Sequence, residues 1–201
     1  RALANLALAM LCLNAAVSGD TLWPGRAYAR VKAAGNMTER LGALKALTQS
    51  HAETAGPALA HFHSQFRHDA LVIDKWFSTQ AQMPEGADGR SFARVKQLLQ
   101  HPDFTLKNPN RARSLIHVFC SANPAGFHRR DAAGYVFWAE HVMQIDAFNP
   151  QLAARLARMM DRWSHLAEPY RSGAREAIAR VAAKAELSSG VREIVERALA
   201  S

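Results

Sequence analysis

Apolar residues recur three and four apart along almost the whole chain, the spacing of a buried helical face, and no stretch reads convincingly as a strand. The first helix is expected over 2–16; residues 2–17, ALANLALAMLCLNAAV, resemble a signal-peptide core, but Asn5 and Asn14 interrupt the run and it reads as a buried helix. The second runs from Pro24 to Ala34 behind a Thr21 cap and stops at Gly35. Asn36 and Glu39 form a box-like start for a third, to Ser50, with Leu41, Leu44 and Leu47 inward. A fourth covers 55–67. Residues 69–82 carry Leu71, Val72, Ile73, Trp76 and Phe77 around most of the circumference, so that helix is expected to be central.

Pro84 to Gly89 reads as a loop. Ser91 to Gln100 points Phe92, Val95, Leu98 and Leu99 inward, and His101-Pro102 ends it. Three Asn-Pro steps then mark helix starts, at Asn108, Asn123 and Asn149. Asn accepts an orphan backbone N–H, and Pro suits a first turn whose N–H would be unpaired anyway. Behind the first step, Leu115/Phe119 and Ile116/Cys120 pair four apart. Gly126 to Gly134 reads as a loop, and Tyr135 to Phe148 as the most apolar helix, with Phe137, Trp138, Val142 and Ile145.

The third Asn-Pro step opens a helix with two stripes. Leu152, Leu156, Met159, Met160 and Trp163 are expected inward, and Gln151, Arg155, Arg158 and Arg162 on the opposite face. Helices over 170–186 and 189–199 finish the chain. The expected fold is all-α: about ten or eleven helices in a curved array of antiparallel pairs, an armadillo- or HEAT-like solenoid, within a single domain over 1–201.

Composition agrees. Of 201 residues, 49% are apolar, enough for a substantial core, and no apolar run of about 18 residues suggests a membrane span. The net charge of +8 invites anionic partners, yet the basic residues are spread over many helices, which argues against nucleic acid. Cys12 and Cys120 sit in apolar helical patterns and read as free buried thiols, so nothing demands an oxidising compartment.

Self-contained catalysis lacks a motif. There is no HExxH, GxSxG, P-loop or GxGxxG, and none of the nine histidines has another four residues away, the spacing two zinc ligands need on a helix. His61 and His63 point apart, so His61, His63 and His68 read as packing or surface groups. One feature does ask for chemistry. Arg111 and Arg113 stand at a helix start, where positive charge opposes the helix dipole, and an anionic ligand would account for them. They are two apart and face differently, so Arg113 alone is taken as the candidate.

Val72-Ile-Asp-Lys-Trp-Phe77, His101-Pro-Asp-Phe104, Asn108-Pro-Asn-Arg111, Ser114-Leu-Ile116, Ser121-Ala-Asn-Pro124, Phe127-His128, Gly134-Tyr135 and Asn149-Pro-Gln151 together resemble the C-terminal domain of bacterial aminopeptidase N, a gluzincin zinc metallopeptidase. The likeness runs from about Arg1 to Ala200. It implies a four-domain cytoplasmic parent that removes N-terminal residues from peptides. The parent's zinc would be held in another domain, and this chain would hold no metal and no catalytic residue. It implies that the helical domain packs on the catalytic domain, closes a substrate cavity, and turns Arg113, Gln151 and Arg155 toward the far part of the peptide. No nucleic acid and no membrane are implied. The sequence departs from the family where Asp-Gly-Ser-Gly-Tyr is common: here it reads Asp131-Ala132-Ala133-Gly134-Tyr135. The alternative from the residues alone is a helical-repeat scaffold that binds a protein or acidic polymer.

Overall fold

The computed structural model describes residues 1–86 and 88–200. All regular structure among them is helical, and none of the helices is long and apolar enough to cross a membrane. The chain divides into two compact units, Arg1–Pro84 and Glu85–Ser201.

The first unit holds α1 (Ala2–Ser18), α2 (Leu22–Ala33), α3 (Met37–Gln49), α4 (Ala55–Phe66) and α5 (Ala70–Ala81). Helix α3 lies at its centre and packs on all four others. Its Ala43, Leu44 and Leu47 are fully buried with Val31, Phe62, Ile73 and Phe77. Asn36 caps α3 by accepting from the Glu39 N–H at 3.0 Å, as expected. Thr21 does not cap α2; the Asp20 carboxylate does, accepting from the Leu22 N–H at 2.8 Å. The other end of α2 is closed by Arg40 of α3, whose guanidinium donates to the carbonyls of Val31, Lys32 and Ala34. The indole N–H of Trp76 donates to the Leu59 carbonyl at 2.9 Å and ties α5 to α4.

Helix α1 departs from the expectation of a buried helix. Leu8, Cys12 and Ala15 are buried, but Leu3, Leu6, Met10, Leu13 and Val17 are 78%, 57%, 54%, 38% and 90% exposed. Their 3-4-3-4 spacing draws one apolar stripe down the open side. Residues apolar all round a helix give no periodicity from which to choose a face, and here α2 and α3 cover only one. Leu71 is likewise exposed rather than part of the core.

The second unit begins with α6 (Arg90–Leu98). Asn108 caps the next helix through the Asn110 N–H at 3.0 Å, and that helix runs unbroken from Pro109 to Ala122. It is α-helical over Pro109–Ala112 (α7), opens into a π turn over Arg113–His117, and closes again as α8 (Val118–Ala122). The Val118 N–H reaches back five residues to the Arg113 carbonyl. Asn123 then caps a short α9 (Pro124–Phe127), which occupies part of the expected loop.

Helix α10 (Ala133–Asp146) packs on α9, on α11 (Pro150–Ala157) and on α12 (Tyr170–Ala182), and α13 (Ser189–Ala200) closes against α11 and α12. Tyr135, Trp138, Val142 and Ile145 of α10 are buried with Leu115, Ile116, Phe119 and Phe127. The Trp138 indole N–H donates to the Leu156 carbonyl at 2.8 Å. Asn149 caps α11 as expected, through the Leu152 N–H. That helix does not continue to Trp163: it tightens to 3₁₀ over Arg158–Met160, and Trp163 instead donates to the Ala198 carbonyl of α13 at 2.7 Å. A tertiary bond to α13 thus overrides the helical period past Ala157.

Candidate functional site

Arg111 and Arg113 do part company. Arg111 is buried and donates to the carbonyl of Asp103, so it fastens the loop before α7. The basic charge at this helix start is therefore partly structural. Arg113 opens the π turn and is exposed. Four residues on, His117 ends that turn and is half-buried. Helix α11 passes alongside: His117 shares a small hollow of about 10 Å³ with Ala112, Ile116, Ile145, Leu152 and Leu156. Arg155 lies between the two leucines in sequence and is exposed, as is Gln151 one turn earlier.

The electrostatics bring these groups together. Burial holds the His117 imidazole below the usual histidine range, and the positive charges of Arg113 and of Arg155 push it further the same way. Arg113 and Arg155, on separate helices, thus act on one ring. Among the described residues no side-chain hydrogen bond or ion pair holds Arg113, Gln151 or Arg155. Elsewhere in this unit arginines find carboxylates: Arg129 pairs with Asp131 at 2.8 Å, and Arg171 with Glu168 at 2.9 Å. Arg158, further along the polar face, stands 3.9 Å from Asp161, and Arg162 lies beyond the end of the α-helix. The stripe therefore divides: Arg155 acts on His117 together with Arg113, Gln151 stands one turn before it, and Arg158 lies by Asp161.

His117 was not legible as a candidate. Its only signal is its place four residues after Arg113, and nothing in the sequence shows that α11 would bring Arg155 to it. The other histidines of interest serve packing. His63 lies against Trp76 with ring centroids 4.9 Å apart, and His68 accepts from Arg67. His128 meets the Tyr135 hydroxyl at 2.9 Å, and His141 the Phe137 carbonyl at 2.7 Å. Both cysteines are free and buried, and burial raises both thiol pKa values, so neither presents a ready nucleophile.

The loop that departs from the family pattern is ordered by its own contacts. Asp131 accepts from Arg129 and from the Ala133 N–H, and Ala132 takes a left-handed conformation with φ of 55°. Gly134 is required: a Cβ there would stand 2.1 Å from the Phe127 carbonyl oxygen.

The chain is thus helical throughout its described regular structure and presents Arg113 and Arg155 as exposed basic groups. Over residues 1–200 it matches the family described as "Domain of unknown function (DUF3458_C) ARM repeats". The chain belongs to this ARM-repeat family. It is 38% identical over 167 residues to aminopeptidase N of Caulobacter vibrioides, and 35% identical over 167 residues to aminopeptidase N of Escherichia coli. Each match covers 83% of this chain but 19% of the relative. Among solved structures, Legionella pneumophila aminopeptidase A in complex with aspartic acid superposes with a TM-score of 0.81 at 29% identity, over 89% of this chain and 21% of that one. The chain thus spans about a fifth of the length of these aminopeptidases, and the resemblance read from its motifs is borne out.

Proposed function

We propose that this chain is the non-catalytic helical domain of a zinc aminopeptidase, and that it closes the substrate cavity and holds the far end of the peptide. Arg113, Gln151 and Arg155 are the residues assigned to that contact. The observation that carries the reading is the convergence of Arg113 and Arg155 on His117 with no carboxylate partner among the described residues. Guanidinium groups left without a protein anion suit an anionic or carbonyl-rich ligand, and hydrogen bonds to charged groups are each worth about 1.5–3 kcal/mol when shielded. A peptide held by its amine at a distant centre offers such acceptors at its other end.

Zinc belongs, on this reading, to another domain of the parent. The patch here does not fit a metal, because two guanidinium groups beside His117 repel a dication. The test is kinetic and uses the full-length enzyme. Arg155→Ala is expected to raise KM for a tripeptide by about tenfold, and to leave KM for a single-residue arylamide within about twofold, because only the peptide reaches the patch. Equal effects on both substrates would overturn the reading.

A further inference from the structure

The patch contains one group whose charge can be turned on. Guanidinium keeps its charge at any working pH, whereas imidazole changes charge near neutrality. His117 stands at the end of the same wide turn as Arg113 and borders the same hollow as Leu152 and Leu156, the neighbours of Arg155 on α11. We propose that His117 is the third cation of a carboxylate-binding site that it forms with Arg113 and Arg155, engaged as the imidazolium. The site then grips a peptide's C-terminal carboxylate more tightly as the medium turns acid. This rests on the function proposed above and narrows its ligand to a free carboxylate.

The physical argument is mutual repulsion and its relief. Without a ligand, His117 faces Arg113 on its own helix and Arg155 on α11, and both disfavour a third positive charge. Helix α10 lends Ile145 to the same hollow, but its carboxylates are engaged elsewhere: Asp146 accepts from Ser188, and Glu140 lies 3.6 Å from Arg180. An arriving carboxylate cancels the repulsion and raises the proton affinity of the ring. By linkage, binding then takes up a proton, and affinity rises as pH falls through the histidine range. The peptide carboxylate itself remains ionised there, since its ordinary pKa is about 3.5.

The experiment is an NMR titration of the 201-residue chain, labelled at its histidines and arginines, with trialanine, its C-terminal amide and inorganic phosphate as probes. Trialanine is expected to bind at least about fivefold more tightly near pH 5.5 than near pH 8, with the His117 titration displaced upward by the peptide. His117→Gln is expected to abolish that pH dependence while the arginine signals still respond. The amide is expected to bind weakly at both pH values; phosphate equal to trialanine in affinity would show a general anion site and overturn the peptide assignment. If Arg155→Ala weakens trialanine but His117→Gln leaves the pH dependence intact, the His117 inference falls and the proposed function stands. If Arg113→Ala and Arg155→Ala both bind trialanine like the parent chain, the proposed function falls and takes the inference with it.

Discussion

The guanidinium of Arg40 donates to the Ala34 carbonyl at 2.5 Å, so a side chain from the middle of the first unit closes the C-terminus of the helix before it. The same group also satisfies Val31 and Lys32 and donates to Gln65 at 2.8 Å. The last carbonyls of a helix have no partner within it, and buried ones left unpaired cost about 1–3 kcal/mol each. Arg40→Met keeps the apolar stem and removes the donors. It is expected to destabilise the chain by about 3 kcal/mol, read as a lower urea midpoint with an unchanged slope.

Ala132 offers the opposite change. Its left-handed φ of 55° strains a residue with a Cβ, at the position where the family's Asp-Gly-Ser-Gly-Tyr pattern has glycine. Ala132→Gly is expected to stabilise by about 0.5–1 kcal/mol, visible as a higher Tm. Two residues on, Gly134→Ala is expected to cost more than about 3 kcal/mol, because the new Cβ would meet the Phe127 backbone, which cannot swing aside.

Acid should weaken the second unit. Burial holds His117, His128 and His141 below the usual histidine range, so the folded chain binds fewer protons than the unfolded one near and below neutrality. The stability these neutral rings supply is present above the unfolded histidine pKa of about 6.5 and is lost as pH falls below it. Urea midpoints are therefore expected to fall between about pH 7 and pH 5. His141→Gln, which keeps a donor for the Phe137 carbonyl, should flatten that slope. A slope unchanged in this variant would exclude His141 as a source.

The open stripe of α1 should make the isolated chain sticky. Leu3, Leu6, Met10, Leu13 and Val17 form a continuous exposed apolar row, and α1 carries no charge along its length. Light scattering is expected to show mass rising with concentration. Leu6→Gln with Met10→Gln should suppress the rise without lowering Tm, since neither side chain is in the core. Mass independent of concentration in the parent chain would show the row to be inert.

What could be read in advance was local. The three Asn-Pro steps became helix starts because cap and proline act within one turn, whatever the rest of the chain does. The pairs Leu115/Phe119 and Ile116/Cys120 became core for a similar reason: their spacing is intrahelical. What could not be read lay between elements. The open face of α1 depends on which helices cover it, and an all-apolar pattern is silent on that. The end of α11 depends on Trp163 finding Ala198, 35 residues away in sequence. The meeting of Arg113, His117 and Arg155 needs α11 beside the π turn, a fact of packing that no single helix encodes.

The wide turn at Arg113–His117 gives this stretch of chain an unusual tolerance. A π turn accommodates one residue beyond the α-helical count. Deleting Ser114 would remove that extra residue and let the segment close as an uninterrupted α-helix, with Asn108 and Arg111 still in register with Phe119. Loss of a single codon elsewhere in the helix would instead turn everything before it by about 100° and part cap and anchor from their partners.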